Sequence, residues 1–260
     1  MKHLIIDKLN NTLIVKLNRP EVFNSFNKEM GEEFLQTLLN SSENNEIRAI
    51  LITGTGKAFS AGQDLSEVIP DDNTMADLGE ILETRYNKII KLIRNIEKPV
   101  IAAVNGVAAG AGANIALSCD IVVASSKASF VQAFSKIGLV PDSGGTFFLP
   151  RIIGLQKASA LIMLGENINA EEAERIGMIY KVFPENEFEK MSLELADRLA
   201  QMPTKGLGFT KKLLNQSFNN SLEDQLEIEK EYQIKAGKTY DYAEGVKAFK
   251  EKRKPVFKGE

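Results

Sequence analysis

Short β-branched runs alternate along the chain with longer stretches in which apolar residues recur every three or four positions. Residues 12–17, 49–53, 100–104, 121–124 and 179–183 read as strands. Residues 27–39 place Met30, Phe34, Leu35, Leu38 and Leu39 on one helical face, with Asn24, Ser25 or Asn27 available as the N-cap. Residues 75–96 repeat the helical pattern at greater length. This alternation predicts an α/β fold with strands covered by crossover helices, and leaves the strand order open. Beyond Glu187 the strand signals cease. Residues 187–200, 204–217, 222–236 and 241–252 read as helices, punctuated by Pro203, Asn219–Ser221 and Gly237. Four helices in ~65 residues bury too little for a core of their own, so they are expected to pack on the main domain or on another subunit. The chain is accordingly divided into a core over 1–200 and a helical oligomerisation region over 201–260.

Composition narrows the chemistry. The 260 residues are 43% hydrophobic and 26% charged, a globular balance rather than a disordered one. Thirty-two basic against thirty-five acidic residues give a net charge of -3, so no global field attracts nucleic acid or an anionic membrane. A single cysteine, Cys119, excludes an internal disulfide, and a single histidine, His3, excludes a Ser-His-Asp triad and a histidine-built zinc site. Asp7 and Lys8 interrupt any apolar signal-peptide core, and the longest apolar stretch, residues 100–117, carries Asn105 and Asn114 and falls short of the ~20 residues of a spanning helix. A cytoplasmic protein with no membrane or nucleic-acid partner and no metal is expected.

Three segments rich in small residues carry the candidate chemistry. Residues 54–65 follow a strand; their glycines permit close ligand approach, and a helix opening near Asp64 would point its positive end at an anion. The same residues equally describe a turn capped by Asp64. Residues 105–114 again lead from a strand into a helix, where the Ala111 amide could receive a carbonyl oxygen or simply allow tight helix–sheet packing. In residues 137–146, Pro141-Asp142-Ser143-Gly144 is a good type I turn. Asp142 is also flanked by Ile137, Leu139, Val140, Phe147 and Phe148, and desolvation there would raise its pKa toward that of a general base.

Asn18-Arg19-Pro20-Glu21 with Asn24, Phe59-Ser60-Ala61-Gly62-Gln63-Asp64-Leu65, and the stretch from Ala103-Val104-Asn105-Gly106 through Cys119-Asp120 to Gly144-Gly145-Thr146 together resemble the crotonase, or enoyl-CoA hydratase/isomerase, superfamily. The resemblance implies a spiral of ββα units, a C-terminal helical trimerisation region and acyl-CoA thioester substrates. It implies an oxyanion hole made by the backbone amides of Gln63 and Ala111. It further implies a CoA site at Ala61, Gln63, Asp64, Leu65 and Ser66, edged by Phe249 and Lys252, often from a neighbouring subunit. Read without it, Phe249 is a core residue and Lys252-Arg253-Lys254 a solvated charged end. At the positions where hydratases of the family carry two glutamates stand Asn114 and Phe134, leaving Asp142 as the carboxylate at a matching position. Residues 104–112, Phe134-Ser135-Lys136, Pro141-Asp142, Leu149-Pro150-Arg151 and 240–246 resemble most the family's phenylacetate-catabolism isomerase branch.

The resemblance therefore implies an isomerase: Asp142 takes a proton from a carbon activated by the thioester, and the Gln63 and Ala111 amides hold the enolate oxygen. Ring-1,2-epoxyphenylacetyl-CoA to oxepin-CoA, or 3-enoyl-CoA to 2-enoyl-CoA, are the implied reactions. No cofactor is implied beyond the CoA of the substrate, and a homotrimer or dimer of trimers is the implied assembly. The alternatives are an enoyl-CoA hydratase and a non-catalytic acyl-CoA- or RNA-binding relative, against which the acidic charge balance speaks. Val68, Ile69, Met75, Phe134 and Ile137 are the candidates for an acyl pocket. Cys119 and Asp120 are read as packing and capping residues, and His3 as a surface or strand residue.

Overall fold

A computed structural model describes residues 3–68 and 76–260. The chain opens on a hairpin of β1 (Leu4–Leu9) and β2 (Thr12–Leu17), turning at Asn10 in the left-handed region (φ 51°), a conformation that asparagine tolerates. Most of β1 is exposed, so its sequence lacks the alternation that marks a half-buried strand, and the pattern reading missed it. Helix α1 (Lys28–Glu43) follows, capped by Asn27, whose Oδ1 accepts the Met30 N–H at 3.0 Å. Asn24 is not the cap. It is buried at φ 55°, where its side chain accepts the Arg19 N–H and donates to the Thr55 and Ala58 carbonyls.

Three strand pairs then repeat one plan: β3 (Ala49–Gly54) with β4 (Ala58–Ser60), β5 (Val100–Val104) with β6 (Val107–Ala109), and β7 (Ile121–Ser125) with β8 (Ser129–Val131). The first strand of each pair enters a six-stranded sheet of order β1-β2-β3-β5-β7-β10, and the second enters a four-stranded sheet of order β4-β6-β8-β9. A helix closes each repeat. After β4 come α2 (Leu78–Ile81), a π-helical turn (Leu82–Tyr86) and α3 (Asn87–Asn95); the helix expected over 75–96 thus begins at Leu78, and Met75 lies outside the described residues. Helix α4 (Ala111–Ser118) follows β6, and α5 (Gly145–Ile153) follows β8. The chain continues through α6 (Leu155–Leu164), β9 (Asn167–Asn169), α7 (Ala170–Arg175) and β10 (Lys181–Phe183), the last beginning two residues inside its predicted span.

Successive side chains of the large sheet feed two cores. Val15, Leu17, Ile50, Ile52, Ala102 and Val104 pack with α1, α3 and α4, while Ile14, Leu51, Ile101 and Val123 meet Ala196 and Ala200 of α8 (Phe188–Ala200) on the other face. All five residues of β5 are buried, as expected of a parallel strand covered on both sides. Asp120 fastens this core: its carboxylate accepts the Val100 N–H at 2.8 Å and pairs with Arg94 and with Lys211 of α9 (Thr204–Ser217). Cys119 beside it is buried, its thiol pushed up to about 12 by burial and by the Asp120 charge. Helix α10 (Leu222–Ala236) buries none of its residues and exposes Leu222, Leu226 and Ile234, whereas α11 (Tyr240–Glu251) holds the tail through Asp241 and Glu244. Among the described residues, no helix is long and apolar enough to cross a membrane.

Candidate active site

The loop after β4 is stitched to residues 23–26. Ala61 donates to the Phe23 carbonyl, Phe26 to the Gly62 carbonyl and Asp64 to the Phe26 carbonyl, at 2.7–3.0 Å. Gly62 has φ 90°, and a Cβ there would stand 2.9 Å from the Ala109 oxygen and 3.1 Å from the Ala111 nitrogen. Gly112 leaves its Cβ position against the Ser60 carbonyl, at 2.4 Å. Glycine at both positions lets the first and second small-residue segments touch backbone to backbone. Ala111 opens α4, where helix geometry leaves an N–H without an intrahelical partner, and Gln63 sits in a bridge whose hydrogen bonds are made by its neighbours. Among the described residues neither the Gln63 nor the Ala111 N–H finds an acceptor.

No regular helix opens at Asp64. Leu65–Glu67 is a single 3₁₀ turn, too short for a useful dipole, and the Asp64 carboxylate caps it by accepting the Ser66 N–H and hydroxyl at 3.1 and 2.7 Å. Burial works to raise the Asp64 pKa, but the Ser66 hydrogen bonds and the Arg19 guanidinium at 2.8 Å hold it below the ordinary carboxylate value. The capping reading therefore describes its side chain, and an anion at this loop would meet backbone amides rather than a helix end.

Asp142 lies on the third segment, between the 3₁₀ turn Ala133–Ile137 and α5. Its carbonyl accepts the Asn114 Nδ2 at 2.9 Å, and the Asn114 Oδ1 accepts the Gln132 Nε2 at 2.8 Å. Asn114 and Gln132 are buried, so the relay fastens the Asp142 loop to α4 from within. Ser143, also buried, adopts φ 49°, and its hydroxyl donates to Asp142 Oδ1 at 2.8 Å. Burial pushes the Asp142 pKa up, and the Ser143 hydrogen bond opposes part of that rise. The elevation is as the sequence predicts. Of the apolar flank, Val140 is 80% exposed and Ile137, Leu139 and Phe147 are exposed as well, so these four form a rim, while Phe148 is half-buried and packs on the core.

Asn114 thus has its amide engaged at both ends, and Phe134 is buried with its ring 3.6 Å from where a Gly110 Cβ would stand; neither position offers a carboxylate. Tyr86 donates its hydroxyl to Gln63 Oε1 at 2.9 Å and lies near enough to Asp142 for its phenol to feel that charge. The described residues therefore gather Gln63, Ala111, Asn114, Phe134 and Asp142 in one place. Val68 is buried, and Ile69 and Met75 fall outside the described residues. Phe249 and Lys252 stand apart on or beside α11: no hydrogen bond, ion pair or ring contact among the described residues joins them to the loops. Phe249 is not core, being 85% exposed, and it lines a cavity of about 540 Å³ with Tyr242, Val246 and Phe257. Tyr86, Arg85, Ser143 and Gln132 were missed by sequence reasoning. For Tyr86 the signal was a hydroxyl-bearing ring on the inner face of an amphipathic helix, and for Ser143 its place after the candidate acid in a glycine-rich turn.

The site thus holds two backbone amides without an acceptor among the described residues, on glycine loops that touch, and one desolvated carboxylate on the neighbouring segment; groups of these kinds are able to receive an oxyanion and to carry a proton. The family model for enoyl-CoA hydratase/isomerase matches residues 7–260. The chain is 46% identical over 248 residues to the 1,2-epoxyphenylacetyl-CoA isomerase of Escherichia coli K12, covering 95% of each chain. It is 37% identical over 260 residues to the trans-2-decenoyl-[acyl-carrier-protein] isomerase of Streptococcus mutans, covering 99% of this chain and 98% of that one. The crystal structure of an enoyl-CoA hydratase from Bacillus anthracis superposes with a TM-score of 0.92 at 31% identity, covering 99% of this chain and all of that one. The paired strands, the glycine loops and the near-complete coverage lead to one assignment: the chain belongs to the enoyl-CoA hydratase/isomerase family, whose fold is the crotonase spiral.

Proposed function

We propose that this chain is an acyl-CoA isomerase that works through a thioester enolate, with Asp142 as the proton carrier. The observation behind this reading is the use of Asn114. Its amide is consumed in holding the Asp142 loop, so the site offers one desolvated carboxylate and no second acid at positions 114 or 134. A single carboxylate suits removing a proton from one carbon and returning it to another; water activation with concerted protonation calls for two such groups. In the proposed step, ionised Asp142 accepts a proton from a carbon next to or conjugated with the thioester. The electron pair moves onto the thioester oxygen, which the Gln63 and Ala111 N–H groups receive, and protonation at the far carbon completes the shift. Loss of one such donor typically costs ~10²–10³ in rate.

The isomerase relatives support this reading, and the substrates in their names define two candidates, an epoxide of phenylacetyl-CoA and a linear enoyl thioester. CoA is proposed to lie along the backbone of Ala61 and Gln63–Ser66, with Phe249 and Lys252 contributed by a neighbouring subunit, since their own chain keeps them apart from the loops. We propose with it a homotrimer or a dimer of trimers, a cytoplasmic location and no cofactor beyond the CoA of the substrate. Hydration is the second reading, favoured by the hydratase of similar fold. The test offers purified protein 3-enoyl-CoA, 2-enoyl-CoA in water, and enzymatically generated ring-1,2-epoxyphenylacetyl-CoA, with products identified by mass spectrometry. Isomerised product from the first or third supports the proposal, and a hydrated product alone overturns it.

A further inference from the structure

We propose that Tyr86, with Arg85 beside it, is a positioning residue that acts through the Gln63 side chain to hold the Gln63 N–H where an oxyanion forms. The inference rests on the oxyanion reading above and deepens it.

All four hydrogen-bonding places of the Gln63 amide are filled. Oε1 accepts from the Tyr86 hydroxyl at 2.9 Å and from Arg85 Nη1 at 3.2 Å; Nε2 donates to Glu67 Oε2 and to the Asp64 carbonyl, each at 3.0 Å. The frame around it is closed as well. Arg85 Nη1 reaches Glu67 Oε2 at 2.9 Å, and Glu67 Oε1 accepts the Lys28 N–H at the start of α1. Burial pushes the Tyr86 phenol far above its ordinary value, so the hydroxyl remains a donor across the working pH range. Tyr86 and Arg85 are consecutive residues, which in a regular helix would diverge by about 100°. They end the π-helical turn, a distortion found often at functional sites, and both converge on one oxygen.

Packing alone does not require this arrangement. Arg85 already has an ion pair with Glu67, and Gln63 is only partly buried. A buried phenol and a buried guanidinium are nonetheless committed to one loop side chain, and that residue carries one of the two acceptor-free amides. Fixing its side chain at four points removes the rotation through which the backbone amide would drift, and small misplacements of an oxyanion donor are expensive.

The test is a double-substitution cycle of Tyr86→Phe and Gln63→Ala with two readouts. One is the enolate absorbance of bound acetoacetyl-CoA, which needs no turnover, and the other is kcat and KM for 3-enoyl-CoA isomerisation. Tyr86→Phe keeps the ring and leaves Arg85 on Gln63 Oε1, so thermal melting should match the wild type. We expect about a tenfold loss of kcat with KM changed less than about twofold, the scale of one hydrogen bond felt in the transition state. The bound enolate fraction should fall in parallel. Adding Tyr86→Phe to Gln63→Ala should cause no further loss, because the route through Gln63 is already gone. If Gln63→Ala is unstable because it strands the Tyr86 hydroxyl, the double variant, which lacks that hydroxyl, is compared directly with Tyr86→Phe. Unchanged kcat and enolate fraction in Tyr86→Phe, or losses that multiply in the double variant, would overturn the proposal. A wild type that stabilises the enolate but isomerises nothing defeats the isomerase reading and leaves the clamp to be judged by absorbance alone. A wild type that binds without stabilising the enolate defeats the clamp.

Discussion

Replacing Asp142 with asparagine separates its chemical role from its structural one. The asparagine Oδ1 still accepts the Ser143 hydroxyl now found at 2.8 Å, and the backbone carbonyl keeps its 2.9 Å bond from Asn114, so the loop retains its anchors. What is lost is the ability to take up a proton. A positioned general base is worth typically 10²–10⁴ in rate, so kcat for 3-enoyl-CoA isomerisation should fall by at least about 10², or roughly 2.7 kcal/mol in activation free energy. Stability should move the other way. Burial raises the folded-state pKa of Asp142, so between the unfolded value, about 3.9, and the raised folded value the native state binds more protons than the unfolded state. Stability therefore falls as pH rises through that window, and above it the ionised carboxylate carries its full desolvation penalty. Asp142→Asn has no such penalty: its melting temperature should exceed that of the wild type near neutrality, and the gap should close as pH drops below about 3.9. The assay pairs turnover followed by mass spectrometry with calorimetric melting across pH. Isomerisation surviving the substitution, or a variant less stable than wild type at neutral pH, would refute the argument.

Further outcomes follow from the same geometry. Ser143→Ala removes the hydrogen bond that lowers the Asp142 pKa, so the acid limb of its pH–rate profile should move to higher pH while the alkaline plateau keeps most of its rate. Gly62→Ala forces a side chain into φ 90° and sets its Cβ 3.1 Å from the Ala111 nitrogen, and steady-state kinetics should show a kcat loss of about 10², with the circular dichroism spectrum unchanged. Leu226→Arg places a charge on α10, which has no fully buried residue within its own chain; light scattering should show a mass below that of the wild-type assembly if this face joins subunits.

Much of the fold was legible because its largest elements are buried on a regular period. The interior strands β3, β5 and β7 and the helix α1 follow their apolar patterns to within a few residues, as do the C-terminal helices α8 to α11. The short strands β4, β6, β8 and β9 were not legible. Each has three residues and is fixed by pairing with partners distant in sequence rather than by its own pattern. The π-helical turn was also invisible, because the apolar residues around it keep the helical period.

For the site, the motifs located the loops but not what holds them. Asp142 stands out in the sequence for its apolar flank, yet most of that flank is exposed, and the hydrogen bond from Asn114 that ties its loop down is written in no motif. Asn114 shows the difference most clearly. In the sequence it is a missing glutamate, an absence that weakens one reaction. In the structure it is a donor to the Asp142 carbonyl and an acceptor from Gln132, and a Cβ on Gly145 would meet its Nδ2 at 2.4 Å. A glutamate there would bring a buried negative charge toward a carbonyl oxygen and give up the donor that the loop uses. The neutral residue at 114 and the acid at 142 are therefore one arrangement: the amide that cannot activate water is what holds the carboxylate proposed to move the proton.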